Sequence, residues 1–168
     1  MQERIFELLG MASARIVDEV ASENRAIGYE ITDGKMHVQD WIAPCHNTTA
    51  DGGLMMNMRD FGLWSAAHGS DILLPQPDIR SMWEPARHRD GQLAGSPDFR
   101  VGLGWMLPVV EGLPNLAQHL GAWQGFSAYV GRVIDQKLTA AVFTNLEWGP
   151  SDPVVIGHDI LRMLRNTR

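Results

Sequence analysis

The last third of the chain constrains the fold most. Leu116 to Ala122, Phe126 to Ile134 and Leu138 to Asn145 are short apolar-rich runs set apart by turn residues, and Val101 to Leu107 precedes them in the same style. Bounded runs of this length read as strands. The link Asp135-Gln136-Lys137 is short enough for a hairpin, so the two runs it joins pair antiparallel. Leu138 to Phe143 is almost wholly apolar, which predicts a central strand covered on both faces. Ser151 or Asp152 then caps a final helix, with Pro153 in its first turn. Val154, Val155, Ile160, Leu161 and Leu164 give that helix an apolar face, and Arg162, Arg165 and Arg168 crowd its negative end. The expectation is an α+β fold: an antiparallel sheet of the last four strands, with the C-terminal helix packed on one face.

The first part is helical and irregular. Residues 2 to 9 read as a short helix carrying Ile5, Phe6, Leu8 and Leu9, and Ser13 to Glu23 is helical by propensity. Ile27 to Ile31 and Met36 to Trp41 flank Asp33-Gly34, the dipeptide a tight hairpin turn demands. Pro44 to Gly53 reads as loop. Asn57 suits a helix N-cap, with Asp60 three residues on and His68-Gly69 at the far end. A second short helix runs from about Gln76 to Trp83, and Arg87 to Asp98 reads as a surface loop.

Composition narrows the class. A length of 168 residues fits a single domain, 1–168, and 45% apolar with 20% charged residues is the globular range. A net charge of -6 disfavours a nucleic-acid surface. No apolar run approaches the roughly 20 residues of a membrane span. Glu3, Arg4 and Glu7 exclude a signal peptide at Met1 to Gly10, which leaves a cytoplasmic or a periplasmic address open. The single Cys45 cannot form an internal disulfide, and His37, His46, His68, His88 and His158 lack metal-ligand spacing. No cofactor is expected.

Several local patterns follow one another along the chain: Glu3-Arg4-Ile5-Phe6 with Leu9-Gly10-Met11, Gly28-Tyr29, Gly52-Gly53-Leu54 ahead of Asp60, Gly102-Leu103-Gly104-Trp105, His119-Leu120-Gly121 ahead of Gly125-Phe126, and Val142-Phe143-Thr144-Asn145. In that order they resemble the C-terminal part of a class C β-lactamase-like serine hydrolase, a family that includes penicillin-binding D-Ala-D-Ala carboxypeptidases, D-aminopeptidases and esterases. The resemblance implies a partial β-lactamase/transpeptidase-like fold. It also implies a nucleophile in a Ser-x-x-Lys motif and a base in Tyr-x-Asn. Neither occurs here: Thr32 and Ile134 stand three residues before Lys35 and Lys137, and Ile31 and Gly131 stand two after Tyr29 and Tyr129. The expectation is therefore a chain lacking its N-terminal catalytic segment and inactive alone, since a serine hydroxyl needs a neighbouring base to attack.

In the resembled family His119-Leu120-Gly121 falls on the strand that walls the active site. His119 faces substrate, Gly121 lets substrate lie against the backbone, and the N–H of Ala122 is one of two oxyanion-hole donors. The plainer reading is a histidine on an edge strand followed by a glycine that permits a bulge. Leu120 stands where members that bind a substrate carboxylate carry Thr or Ser, which points to an ester or a different amide; alternatively Leu120 faces the core. Trp105 and Trp123 are candidates to line a cleft, while four or more of the six tryptophans serve the core. The Met55 to Met58 cluster fills core gaps. Ser127, Asp135 and His119 are the ingredients of another triad only if geometry unites them.

Two function classes stay open: part of an acyl-enzyme hydrolase for a small ester or amide, or a non-catalytic binding or structural domain on the same scaffold. An apolar strand meant for burial on both sides, without the segment that would cover it, predicts a homo-oligomer or a partner that supplies that segment.

Overall fold

A computed structural model of the chain describes residues 1–16, 25–39, 53–147, 149 and 152–167. Five strands form one antiparallel sheet in the order β5 (Phe99–Val101), β6 (Met106–Pro108), β7 (Leu116–Trp123), β8 (Phe126–Val133) and β9 (Leu138–Thr144). The single run expected from Val101 to Leu107 is instead two strands. Gly104 takes φ 75°, a left-handed turn that folds Met106 back against Val101. β9 pairs only with β8, so Leu138 to Phe143 is an edge strand among the described residues, not the central strand its apolar content predicts.

β7 and β8 pair without a bulge from Leu116–Val133 to Trp123–Phe126. Alternation therefore sorts their side chains cleanly onto two faces. The back face carries Leu116, Gln118, Leu120 and Ala122 beside Val133, Gly131, Tyr129 and Ser127. Helix α4 (Pro153–Asn166) covers it. Asp152 accepts from the Val154 N–H at 2.8 Å, as the sequence predicts for the cap. Leu161 of α4 meets Leu113, Leu116, Val133, Leu138 and Ala140 in one core, whose leucine and valine side chains each stabilise the fold by about 1.5–3 kcal/mol. Tyr129 lies flat in a slot made by two glycines. A Cβ on Gly131 would fall 2.0 Å from its hydroxyl and one on Gly157 2.2 Å from its ring.

The front face carries Ala117, His119, Gly121 and Trp123 beside Arg132, Val130, Ala128 and Phe126. Helix α2 (Met58–Ala67) lies on this side, its Phe61 meeting Phe143 of β9 edge-on at 5.5 Å. Asn57 caps α2 by accepting from the Asp60 N–H at 2.9 Å. Helix α3 (Gln76–Ser81) leads to Trp83. Trp64, His68, Trp83 and Trp105 then pack ring against ring, with Trp64 and His68 4.4 Å apart. Trp105 is thereby core, at 5% exposure, and not the cleft wall that was one of its two readings.

At the N-terminus a π-helical turn, Gln2–Phe6, runs into α1 (Glu7–Leu9). Phe6, Met11 and Ala14 form a second core with Met56, Leu63 and Trp64. The helix expected over Ser13 to Glu23 is contradicted where it is described: Arg15–Ile16 is strand β1, paired with β4 (Leu54–Met55), because Asp60 holds Ser13 and Ala14 by their N–H groups and takes them out of any helix. Strands β2 (Tyr29–Thr32) and β3 (Lys35–Val38) form the expected hairpin, with Asp33 at φ 52° and Gly34 at φ 71°. Trp41, Cys45, His46, Gly52 and Trp148, with most of the expected Pro44 to Gly53 loop, lie outside the described residues.

Candidate functional site

The site is built on the last residues of β7. β8 flanks β7 along its whole length, whereas β6 meets it only where Met106 faces Gln118. From Leu120 to Ala122 no second strand pairs with this edge among the described residues. The two-residue turn Gln124–Gly125 makes Trp123–Phe126 a hydrogen-bonded pair. The pairs then alternate, so Ala122–Ser127 is a non-hydrogen-bonded pair and the Ala122 N–H points away from β8, toward that edge.

His119 projects from the front face, exposed, and its side chain makes no hydrogen bond among the described residues. Gly121 is confined from the β8 side: a Cβ there would touch that of Ala128 at 3.3 Å. Leu120 alternates to the back face beside Gln118, whose Oε1 accepts from His158 Nε2 of α4 at 2.9 Å. The geometry thus agrees with the core-facing reading of Leu120, which lies half-buried opposite Tyr129.

The end of β7 is braced by the β2–β3 hairpin. Gly28 and Gly125 touch backbone to backbone: a Cβ on Gly125 would fall 2.5 Å from the Gly28 carbonyl carbon, and one on Gly28 3.0 Å from the Gly125 Cα. The Tyr29 N–H donates to Gly125 O at 3.2 Å and to Asn145 O at 3.1 Å, and Asn145 Nδ2 donates to Ile27 O at 2.9 Å. Three patterns that stand apart in the sequence, Gly28-Tyr29, Gly125-Phe126 and Thr144-Asn145, are one structural joint. Their shared dipeptide and strand-end chemistry was the only sequence signal, and it did not reveal the contact.

The alternative triad does not assemble. Ser127 is buried on the back face, donating to Leu146 O at 3.2 Å, while His119 is on the front. Asp135 sits in the β8–β9 turn, accepting from Asn115 Nδ2 at 2.6 Å. Nor does His68 serve Ser65: its Nδ1 donates to Trp64 O at 3.1 Å, and burial holds its pKa below the ordinary value. Among the described residues no group of His, Cys, Asp and Glu could hold a metal.

A strand edge offering an outward amide, beside a glycine and an exposed imidazole, can present a hydrogen-bond donor to a carbonyl oxygen. The β-lactamase family model matches residues 1–161. The chain belongs to the β-lactamase family. Its fold is also that of solved members and relatives. An octameric penicillin-binding protein homologue from Pyrococcus abyssi is 22% identical, with a TM-score of 0.79 over 98% of this chain and 36% of its own. A penicillin-binding protein from Bacillus halodurans is 16% identical, with a TM-score of 0.72 over 99% of this chain and 48% of its own. A D-amino acid amidase from Ochrobactrum anthropi is 22% identical, with a TM-score of 0.71 over 99% of this chain and 50% of its own. This β-lactamase-family chain thus spans a third to a half of the solved chains it matches. No curated protein sequence matches it.

Proposed function

We propose that this chain is one part of a β-lactamase-like serine hydrolase that cleaves an ester or amide through an acyl-enzyme. In this reading β7 is the oxyanion wall. The Ala122 N–H donates to the oxygen that becomes negative as the carbonyl is attacked, Gly121 keeps the strand surface low, and His119 faces the substrate. The outward Ala122 amide on a free strand edge is the observation that carries the reading. The nucleophile and its base come from a Ser-x-x-Lys and a Tyr-x-Asn outside this sequence.

The chain works as an assembly, either a homo-oligomer or a complex with a polypeptide that supplies the catalytic segment. Supporting this are the β9 edge, Phe143 at 45% exposure on it, and Val155 and Met163 at 57% and 69% on the outer side of α4. Unpaired strand edges and apolar surface of this kind invite a partner. The octameric state of the Pyrococcus homologue is in line with it.

Adding a polypeptide that carries both motifs to the purified chain tests the proposal, with p-nitrophenyl acetate and nitrocefin as substrates. The chain alone gives background rates and the mixture gives saturable turnover with a mass increment on the added serine. Turnover by the chain alone, or an acyl group on one of its own serines, refutes the division of labour. A folded complex without turnover favours the non-catalytic scaffold.

A further inference from the structure

The front face of the sheet holds a cation with no counter-charge among the described residues. Arg132 of β8 is 6% exposed. Its guanidinium lies over the Trp83 ring at 5.5 Å. Of its five N–H donors only Nη1 is used, donating to Thr139 Oγ1 at 2.8 Å. Nε is enclosed without an acceptor, and so is the indole Nε1–H of Trp83 beside it. No carboxylate among the described residues pairs with Arg132. The other basic group in the cluster, His68, has its pKa lowered by burial and further by the Arg132 charge. A buried charge left unpaired is strongly unfavourable, and buried guanidinium groups in stable proteins meet an anion.

We propose that Arg132 is one half of a buried ion pair whose other half is an Asp or Glu side chain of a polypeptide packed on the front face of the sheet. Three observations favour a side-chain carboxylate over a free ligand. The site lies in a packed aromatic layer, not at the free edge of β7. Phe143, on the same face, is partly uncovered at 45% exposure, so the layer continues past what this chain covers. The guanidinium fork suits a carboxylate bidentately once Nε and Nη2 are both free to donate.

The reporter is built in, since Trp83 covers the cation. The chain is titrated with sodium acetate, with N-acetyl-glutamate amide and, as an uncharged control, with N-acetyl-glutamine amide, all at constant ionic strength in chloride. Tryptophan emission and melting temperature are followed. The expected result is a weak saturable response to both carboxylates and none to the glutamine analogue. Arg132→Met loses the response while melting no lower than wild type, because an unpaired charge has been removed. Arg132→Lys keeps the charge but not the fork and responds less. Trp83→Phe keeps the thermal shift and loses the emission change. An equal response in Arg132→Met, or none in wild type, overturns the proposal. So does a large loss of stability in Arg132→Met alone, which would mean that the chain already satisfies the cation. Saturation by acetate below ~1 mM would mark a small-carboxylate site and overturn the polypeptide assignment.

Discussion

Asp60 and Ser13 fasten the N-terminal segment to the first turn of α2. Asp60 Oδ2 accepts from the Ser13 N–H at 2.6 Å, the Ser13 hydroxyl at 2.7 Å and the Ala14 N–H at 3.1 Å. The Ser13 hydroxyl in turn accepts from the Asn57 N–H at 3.0 Å. These bonds hold the Asp60 carboxyl below its ordinary pKa, the Ser13 hydroxyl contributing most. A carboxylate whose folded pKa is depressed stabilises the fold above its unfolded pKa and loses that effect as pH falls through the folded one. Asp60→Ala is expected to lower the melting temperature at pH 7. Asp60→Asn, still an acceptor, should lower it less. Both should lessen the fall in stability that wild type shows below pH 3.8, the ordinary value for aspartate. Thermal melts from pH 7 to 2 check all three.

His68 gives a second, separate pH dependence. Its pKa is lowered first by burial, and His158 of α4 is lowered the same way. The fold thus binds fewer protons than the unfolded chain below pH 6.5, and stability drops as pH falls through that value toward the folded pKa of each group. Melting temperature should be flat above pH 7 and decline between about pH 6.5 and 5. His68→Phe should flatten part of that decline, and His158→Gln the remainder. An unchanged profile in the double variant would show that other groups govern it.

How much of this was legible in the sequence depended on range. Asp33-Gly34, the Asn57 cap and Asp152-Pro153 each carry their whole signal within four residues, and each is found as read. Leu138 to Phe143 is different. Its apolar content reports that both faces can be buried, but not which neighbours lie beside it, and it stands at the sheet edge. Ser13 to Ile16 scored as helix because propensity takes no account of Asp60, which holds Ser13 from 47 residues away. Within the candidate site, His119, Gly121 and Ala122 are candidates by pattern, and the structure places them on one strand, β7. Leu120 keeps two readings in the sequence because alternation fixes its face only once the register with Tyr129 is known. Arg132 carries no sequence signal, since its peculiarity is the lack of a carboxylate partner among the described residues, which no local pattern encodes.

His119 should matter to chemistry and not to folding. In the reconstituted enzyme, His119→Ala is expected to lower kcat by ~10-fold or more, with a melting temperature near that of wild type, because an exposed, unbonded side chain contributes little stability. Parallel kinetics and melts decide it. A large thermal loss at unchanged kcat would assign the residue to the scaffold.

The glycine joint should be intolerant. Gly125→Ala adds a Cβ 2.5 Å from the Gly28 backbone at φ 74°, so strain and clash coincide. A loss of about 2–4 kcal/mol is expected by denaturant titration. Gly34→Ala shares the positive φ of 71° but meets nothing within 4 Å, and should cost about 1 kcal/mol.

Leu161→Ala removes a fully enclosed side chain from the sheet–helix core and should cost about 2–5 kcal/mol. Urea unfolding followed by tryptophan emission gives the value, and a loss below ~1 kcal/mol would mean that α4 is not a principal support of the sheet.

The joint between the hairpin and the β7–β8 turn also sets a timetable. Asn145 and Ile27, which close it, are 118 residues apart in the chain. Contacts of such separation form only after a long loop has been closed, and they slow folding accordingly. The sheet can zip locally through its two hairpin turns, yet the end of β7 that bears Ala122 is not braced until the distant hairpin arrives. The end of β7 should therefore be the last part of the molecule to mature, and during refolding amide protection at Tyr29 should lag behind that of Tyr129.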